Sequence, residues 1–592
     1  MPGNELVLLD QAIADWQSEQ SEPIADDKAF EIIACTQALR DRDVSSDEIA
    51  EGVVGGGDDG AIDGVYTFLG DTLLTEDSEA LQELPANKLS VGTTLTLVLV
   101  QAKRTEAFTE TAIDLVADST RRLLDLAQSE EDLSAIYSTA VIERIGFFRS
   151  ALRKFGARHL KLRIEFHYAT RGATAGMHAK VKRKARDLEV QFDQTLVKAE
   201  GAVTFLGAKE LWERISTLPT YTVNLSVEEY STSGNSHVAL VSLRDYMDFL
   251  RDDDGALRRH IFDWNVRDYQ GDVEVNREIR ESVLDASLPE FWWLNNGVTI
   301  VCSEVSITAK TFALDNVQVV NGLQTSQTIF NALESAASDH SALDRKVLVR
   351  ILATGDDTRT RDQVIRATNR QTSVPAASLR ATDEIQRKIE AYFVSHDWYY
   401  DRRKNFYRNQ GKAASRIVGI PLLAQAVMAM GLSRPDDSRA RPSSLLKRDS
   451  VYGTVFSESL PLPVYLWLAK TQKSVDAFLL TDVAVASASE RTNLRFHLAM
   501  LATAVLFGAR VYNPSQLAKV AGENAELDKG LLSDSLATLR TAFTKVQGKS
   551  GGSLDKIAKG PEFVKYLLDE VLPQLIASRP VQSETSPSQS KS

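Results

Sequence analysis

The order of apolar and polar positions divides the chain into stretches of different texture. Residues 27–40 carry Phe30, Ile33, Ala34 and Leu39 at helical spacing, which predicts an amphipathic helix. A glycine cluster follows, Gly55-Gly56-Gly57-Asp58-Asp59-Gly60, then an apolar run from Ile62 to Leu69 that reads as a strand closed by a Gly70-Asp71 turn. Residues 71–94 read as an acidic insertion with one short helix. The run Leu95-Thr96-Leu97-Val98-Leu99-Val100 opens a second strand that ends at Lys103. Helical patterns cover 107–127 and 131–155, and apolar–polar alternation over Leu160 to Tyr168 predicts another strand. A basic helix at 175–198, a strand at 203–206 and a helix at 208–216 complete an α/β domain over residues 1–220.

Residues 221–380 mix predicted strands (236–243, 298–307, 315–320, 346–352) with helices (243–251, 273–286, 324–337, 358–368), an α+β region. Residues 381–578 are mostly helical, punctuated by Pro435, Pro442, Pro461 and Pro463. The tail, 579–592, is rich in Ser, Pro, Gln and Lys and has too little apolar surface to fold, so it reads as disordered. No internal repeat is evident.

With 592 residues, two to four domains are expected. Hydrophobic content of 43% and charged content of 25% are those of a soluble globular protein. The net charge of −13 argues against wholesale coating of nucleic acid but permits a local basic groove. Two distant cysteines, Cys35 and Cys302, make no disulfide framework and no metal-ligand spacing, and suit buried filler in a reducing compartment. The acidic N-terminus lacks a signal pattern, and the longest apolar run, Leu498 to Ala509, falls short of the roughly 20 residues that span a bilayer. The expected location is cytoplasmic, without membrane attachment.

Candidate chemistry lies at the end of the second strand. Gln101 and Lys103 are two residues apart, so their side chains leave the same face. Asp63, in Gly60-Ala61-Ile62-Asp63-Gly64, is one hairpin away and able to meet them. A carboxylate, a second oxygen ligand and a lysine suffice for metal-assisted phosphodiester hydrolysis, with Mg²⁺ or Mn²⁺ keeping several waters and the Ala102 carbonyl as a further oxygen. Asp58 and Asp59 read as turn formers. Thirteen lysines and arginines stand from Arg144 to Arg186, among them Arg153, Lys154, Lys182, Arg183 and Lys184. They suit either a phosphate-binding face or a solvated helix face. No Walker lysine motif, serine elbow or paired histidines appear.

Phe30-Glu31, the Gly57–Gly64 string and Gln101-Ala102-Lys103 together resemble the PD-(D/E)xK nuclease superfamily in its Mrr-like branch, over about a third of the chain. The resemblance implies a restriction-endonuclease-like fold, with Asp63 and Gln101 holding the metal, Lys103 assisting the attacking water and Glu31 completing the site. A neutral glutamine is usual in this branch but binds metal more weakly than a carboxylate.

The second region carries Phe291-Trp292-Trp293-Leu294-Asn295-Asn296-Gly297, Val320-Asn321-Gly322-Leu323-Gln324-Thr325-Ser326, Ala367-Thr368-Asn369-Arg370 and Trp398-Tyr399-Tyr400-Asp401-Arg402-Arg403-Lys404, with Asn276 upstream. In this order, over residues 240–430, they resemble the abortive-infection phage-resistance (AIPR) family, which implies bacterial antiphage defence. The strand–glycine–helix junction at Asn321–Gln324 suits an anion, and Asn295, Asn296, Asn321, Gln324, Thr325 and Asn369 suit a nucleotide or base, with Arg402, Arg403 and Lys404 as added charge. Asn296 and Asn321 suit equally a pair of turns with satisfied amides. The expected protein is a metal-dependent endonuclease that cuts DNA ahead of RNA under the control of an AIPR region answering to a phage-derived trigger. The alternative is a non-catalytic nucleic-acid or nucleotide sensor with an inactive core. Homo-oligomerisation is left open.

Overall fold

The computed structural model describes residues 3–577 except 71, 90, 197, 218–221, 253–254, 256, 263–273, 286, 335–336, 338–339, 356–363, 365–379, 381–382, 403, 441–443, 510–513 and 524. The expected helix at 358–368 (all but Val364), Asn369, Arg403 and the tail 579–592 lie outside the described residues. The chain forms two compact units, 1–420 and 421–592.

The first unit begins with a mixed sheet of strands β1 (Gly64–Leu69), β2 (Thr72–Leu73), β3 (Thr94–Lys103), β4 (Lys161–Thr170) and β5 (Ala199–Leu206), in the order β2-β1-β3-β4-β5. β1 runs antiparallel to β2 and β3, whereas β3, β4 and β5 are mutually parallel neighbours. Helices Glu110–Leu123 and Thr139–Phe155 connect β3 to β4, and Ala179–Thr195 connects β4 to β5. The central β3 is buried from Leu95 to Ala102, and only Lys103 at its end is exposed. A strand covered on both faces needs no polar side, which is why its sequence is an unbroken apolar run. Helix Asp26–Ala38 packs on β3 and buries Phe30, Ile33, Ala34, Cys35 and Ala38.

Residues 223–353 build two further sheets. One is β10-β11-β6 (Glu304–Thr308, Thr311–Asp315, Val223–Ser226), and the other is β12-β9-β13-β8-β7 (Gln318–Asn321, Val298–Cys302, Lys346–Ala353, Ser236–Ser242, Glu229–Ser233). The single strand expected at 298–307 is therefore two. The chain leaves one sheet at Cys302 and enters the other at Glu304, with Ser303 at the corner. Likewise 315–320 is the end of β11 and the start of β12, separated by Asn316 at φ +49°. Their shared core contains Val298, Ile300, Phe312, Leu314, Val319, Val347 and Val349. The unit ends with a two-stranded parallel pair, β14 (Tyr399–Asp401) and β15 (Ile417–Gly419).

The second unit is helical, as its sequence predicts. Helix Ala488–Phe507 is largely buried and packs against Leu462–Phe478 and Lys529–Ser550. It begins with a Ser487–Glu490 capping box and ends at Gly508 in the left-handed conformation. Among the described residues no helix is long and apolar enough to cross a membrane.

His497 gives this unit an acid limit. Burial, including the Phe563 ring 5.4 Å away, and to a lesser degree Arg439 hold its imidazole down to about 3. The folded state then keeps His497 neutral while the unfolded chain binds a proton below about 6.5. Its contribution is complete above that pH and is lost as pH falls. Denaturant titrations should show the unit losing on the order of 2 kcal/mol between pH 7 and pH 5 through this group, and less in His497→Gln.

Candidate metal centre

Asp63 reaches its position because the chain enters β1 against β3. Gly64 pairs with Val100, so one residue earlier Asp63 stands against Gln101. Its backbone N–H donates to the Val100 carbonyl at 2.8 Å, and its Oδ2 accepts from the Ala102 N–H at 2.8 Å. Asp63 thus spans Gln101 on both sides, with one carboxylate oxygen fixed and Oδ1 left facing the helix Asp26–Ala38. From that helix Glu31 points inward on the same face as Phe30 and Ala34, and is only 9% exposed.

The two carboxylates meet at Gly55. A methyl group there would stand 2.6 Å from Glu31 Oε2 and 2.7 Å from Asp63 Oδ1, below any van der Waals distance. Only glycine leaves this cradle open, and the glycine cluster supplies it. Asp59 builds the loop that carries the cradle, accepting from Gly56 N at 3.0 Å and Ala61 N at 2.8 Å, the turn role its sequence suggested. Gly60, at φ +66°, leaves room for Ser119, whose hydroxyl donates to the Gly60 carbonyl at 2.8 Å.

Gln101 is fully buried, and among the described residues neither its Oε1 nor its Nε2 has a hydrogen-bond partner. A buried amide left so costs about 1–3 kcal/mol for each unmet group. Such a group calls for a partner, which a water or an ion can supply. Burial, reinforced by the Glu31 charge, pushes the Asp63 carboxyl up to about 7, against the opposing Ala102 N–H and the Lys103 ammonium. Two crowded carboxylates and an unsatisfied amide oxygen make a donor set that fits a hard divalent cation. Among the described residues no three His, Cys, Asp or Glu side chains are grouped to hold a metal, and here the carboxylates number two. Lys103, exposed two residues beyond Gln101, leaves the same face. The sequence did not single out Lys28 or Gly55. Lys28 Nζ donates to Glu31 Oε2 at 2.6 Å and to the Gly55 carbonyl at 2.5 Å. Its i,i+3 spacing from Glu31 was the available signal.

The basic stretch is largely employed inside the fold. Arg149 is 4% exposed and donates to the carbonyls of Leu123, Asp125 and Gln128, closing the end of the preceding helix. Arg153 donates to the Leu126 carbonyl, Lys154 to those of Ala80 and Leu81, and Lys184 pairs with Asp114 at 2.6 Å. Lys182 and Arg183 stay exposed on helix Ala179–Thr195, as does Arg186. Arg402 is buried in an ion pair with Glu390 at 2.7 Å, so burial removes it from the proposed phosphate face. Lys404 donates to the Asp43 carbonyl at 2.8 Å and pairs with Glu48 at 2.9 Å. Asn405 bonds the Asp43 carboxylate at 3.1 Å, and Arg408 the Val44 carbonyl at 2.8 Å. These residues clasp the loop that leads into helix Ser46–Glu51 and on to Gly55.

In the second region the two glycine turns stack. Gly297 (φ +74°) lies against the Leu348 carbonyl, and Gly322 (φ +96°) against Val298 and the Gly297 carbonyl. Asn295 donates to the Phe291 carbonyl at 3.0 Å, and the Asn296 carbonyl accepts from Arg350 at 3.1 Å. Gln324 Oε1 accepts from Asn276 at 2.9 Å, Thr325 is buried, and Asn321 ends β12 opposite Thr299. Ser326 bonds the Gly322 carbonyl and the Tyr246 hydroxyl. Asn295, Asn321, Gln324 and Thr325 thus sit around one strand–turn–helix junction, more than 200 residues along the chain from Asp63 and Glu31.

Residues 262–533 match the family model described as AIPR protein. No curated protein and no solved structure matches the chain. The match begins after the five-stranded sheet of β1–β5 and extends about 100 residues beyond the 240–430 stretch that the sequence strings delimit, into the helical unit.

Raising the Asp63 pKa means that between about pH 4 and 7 the folded chain holds a proton the unfolded chain has lost. Stability therefore falls as pH rises through that window. With a chelator present, Asp63→Asn should melt higher than wild type at pH 8, by on the order of 2–4 kcal/mol, and equally at pH 4. Thermal melts at the two pH values check this. Gly55→Ala should abolish divalent-cation binding measured calorimetrically.

Proposed function

We propose that the chain is a divalent-metal-dependent nuclease of abortive-infection antiphage defence, cutting DNA ahead of RNA. Residues 262–533 then sense or grip nucleic acid or a nucleotide. The observation that carries the reading is the meeting of Asp63 and Glu31 beside Gly55, with the buried Gln101 at the strand position opposite Asp63 and Lys103 exposed two residues on.

Mg²⁺ or Mn²⁺ bound there would neutralise phosphate charge and lower the pKa of a coordinated water. Asp63, Glu31 and Gln101 Oε1 would hold it. The Ala102 N–H fixes Asp63 Oδ2 and so presents Oδ1. Glu31 is oriented from the opposing helix, and the loop at Gly55 closes over both. Lys103 supplies a mobile donor for a phosphate oxygen as negative charge grows on it. The antiparallel β1–β3 pair followed by parallel β4 supports the resemblance to PD-(D/E)xK enzymes, because it brings an Asp at a strand entrance beside a strand ending in Gln-x-Lys. The exposed Lys182, Arg183 and Arg186 offer charge for a nucleic-acid backbone.

The neutral Gln101 favours a second reading, a sensor that binds nucleic acid without cutting it. Cleavage of plasmid, phage DNA and RNA by the full chain with Mg²⁺ or Mn²⁺, against chelator, separates the two. Lys103→Ala should lose about 100-fold or more in rate yet keep its cation, whereas Asp63→Ala should lose both. Undiminished cleavage in both variants would overturn the nuclease assignment. Lys182→Glu with Arg183→Glu should weaken DNA association across all sequences and flatten its salt dependence, read by fluorescence anisotropy.

A further inference from the structure

Lys28 is one turn before Glu31 on helix Asp26–Ala38, and its side chain is only 21% exposed. Its ammonium bridges two oxygens, Glu31 Oε2 at 2.6 Å and the Gly55 carbonyl at 2.5 Å. Glu31 Oε2 is the same atom that, with Asp63 Oδ1, closes on the space beside Gly55. A cation is therefore already seated on one of the two carboxylates. An ammonium and a divalent ion cannot both use that oxygen at short range without repelling each other.

We propose that Lys28 is a resident counter-cation of this centre: it occupies Glu31 Oε2 and the Gly55 carbonyl when no divalent ion is bound, and metal entry displaces it from Glu31. The inference rests on the reading of Asp63, Glu31 and Gln101 as metal ligands. Lys28 is a positioning residue in this scheme. Without metal it offsets the repulsion between two buried carboxylates and keeps the glycine loop tied to the helix. With metal its charge is surplus, and its four-carbon stem lets the ammonium turn outward. Metal affinity is thereby set lower than the bare ligand set would give. A lysine that merely aimed Glu31 at the metal would have the opposite effect on affinity when removed.

The test is Mn²⁺ binding to the full chain without nucleic acid, followed by the electron paramagnetic resonance signal of free Mn²⁺. The proteins are wild type, Lys28→Met, Lys28→Arg and Asp63→Asn, each checked for folding by circular dichroism. Lys28→Met should bind at least about tenfold more tightly than wild type, and Lys28→Arg about as wild type. Lys28→Met should also melt lower than wild type with chelator, and gain more from saturating Mn²⁺. Should Lys28→Met not fold, Lys28→Gln, which can still donate to the Gly55 carbonyl, makes the same comparison. Equal or weaker Mn²⁺ binding by the folded Lys28 variant, with binding lost in Asp63→Asn, overturns the counter-cation role and leaves the metal site standing. Mn²⁺ binding that is absent from wild type, or unchanged in Asp63→Asn, overturns the site reading and this inference together.

Discussion

A carboxylate held in a dry place by a backbone N–H is the constraint on which the N-terminal half turns. Asp63 sits 4% exposed where β1 meets β3, and the Ala102 N–H donates to its Oδ2. Everything nearby serves that burial. The apolar run of β3 makes the site dry, the helix Asp26–Ala38 closes it from one side, and the glycine loop closes it from another. A fold that wanted only stability would place an apolar residue at 63 and at 101. Retaining a buried acid and an unpaired amide side by side costs stability, and such costs concentrate where chemistry is done.

Much of this was legible before any coordinates. The unbroken apolar strand, the two-residue spacing of Gln101 and Lys103, and the aspartate just ahead of Gly64 are local patterns, and local patterns follow from the period of a strand. What the sequence hid was non-local. Nothing in residues 229–233 announces β7, because all five of its side chains are exposed and no alternation survives. The corner at Ser303 was hidden because two strands of different sheets run on with a single residue between them. Gly55 looked like one glycine among several, and only the fold shows that two carboxylates from separate elements crowd its missing side chain. Clustered arginines were the least readable of all, since charge along a chain does not say whether a guanidinium meets solvent or a carbonyl. Arg149 and Arg402 turned inward for that reason, one to helix-end carbonyls and the other to Glu390.

The AIPR-matched region has a different logic. Its conspicuous Asn–Gly pairs lie at turns where glycine is required by positive φ and close backbone approach, and several of its amides are bonded within the fold. Their first duty is to hold the junction between β9, β12 and the helix Leu323–Leu333. The match also runs through the switch from mixed sheet to helices.

The clasp between residues 404–408 and the loop at 43–48 has a practical meaning for how the molecule can be divided. Position 220 is the natural place to cut, since the first five-stranded sheet is complete there. A fragment ending at that point would lose the donors that Lys404 and Arg408 give to the Asp43 and Val44 carbonyls, and the Asn405 bond to the Asp43 side chain. The loop so released is the one that runs, through a single short helix, to Gly55. An isolated N-terminal fragment would thus present its carboxylate pair with one wall unpinned, and would not be the same centre as in the whole chain.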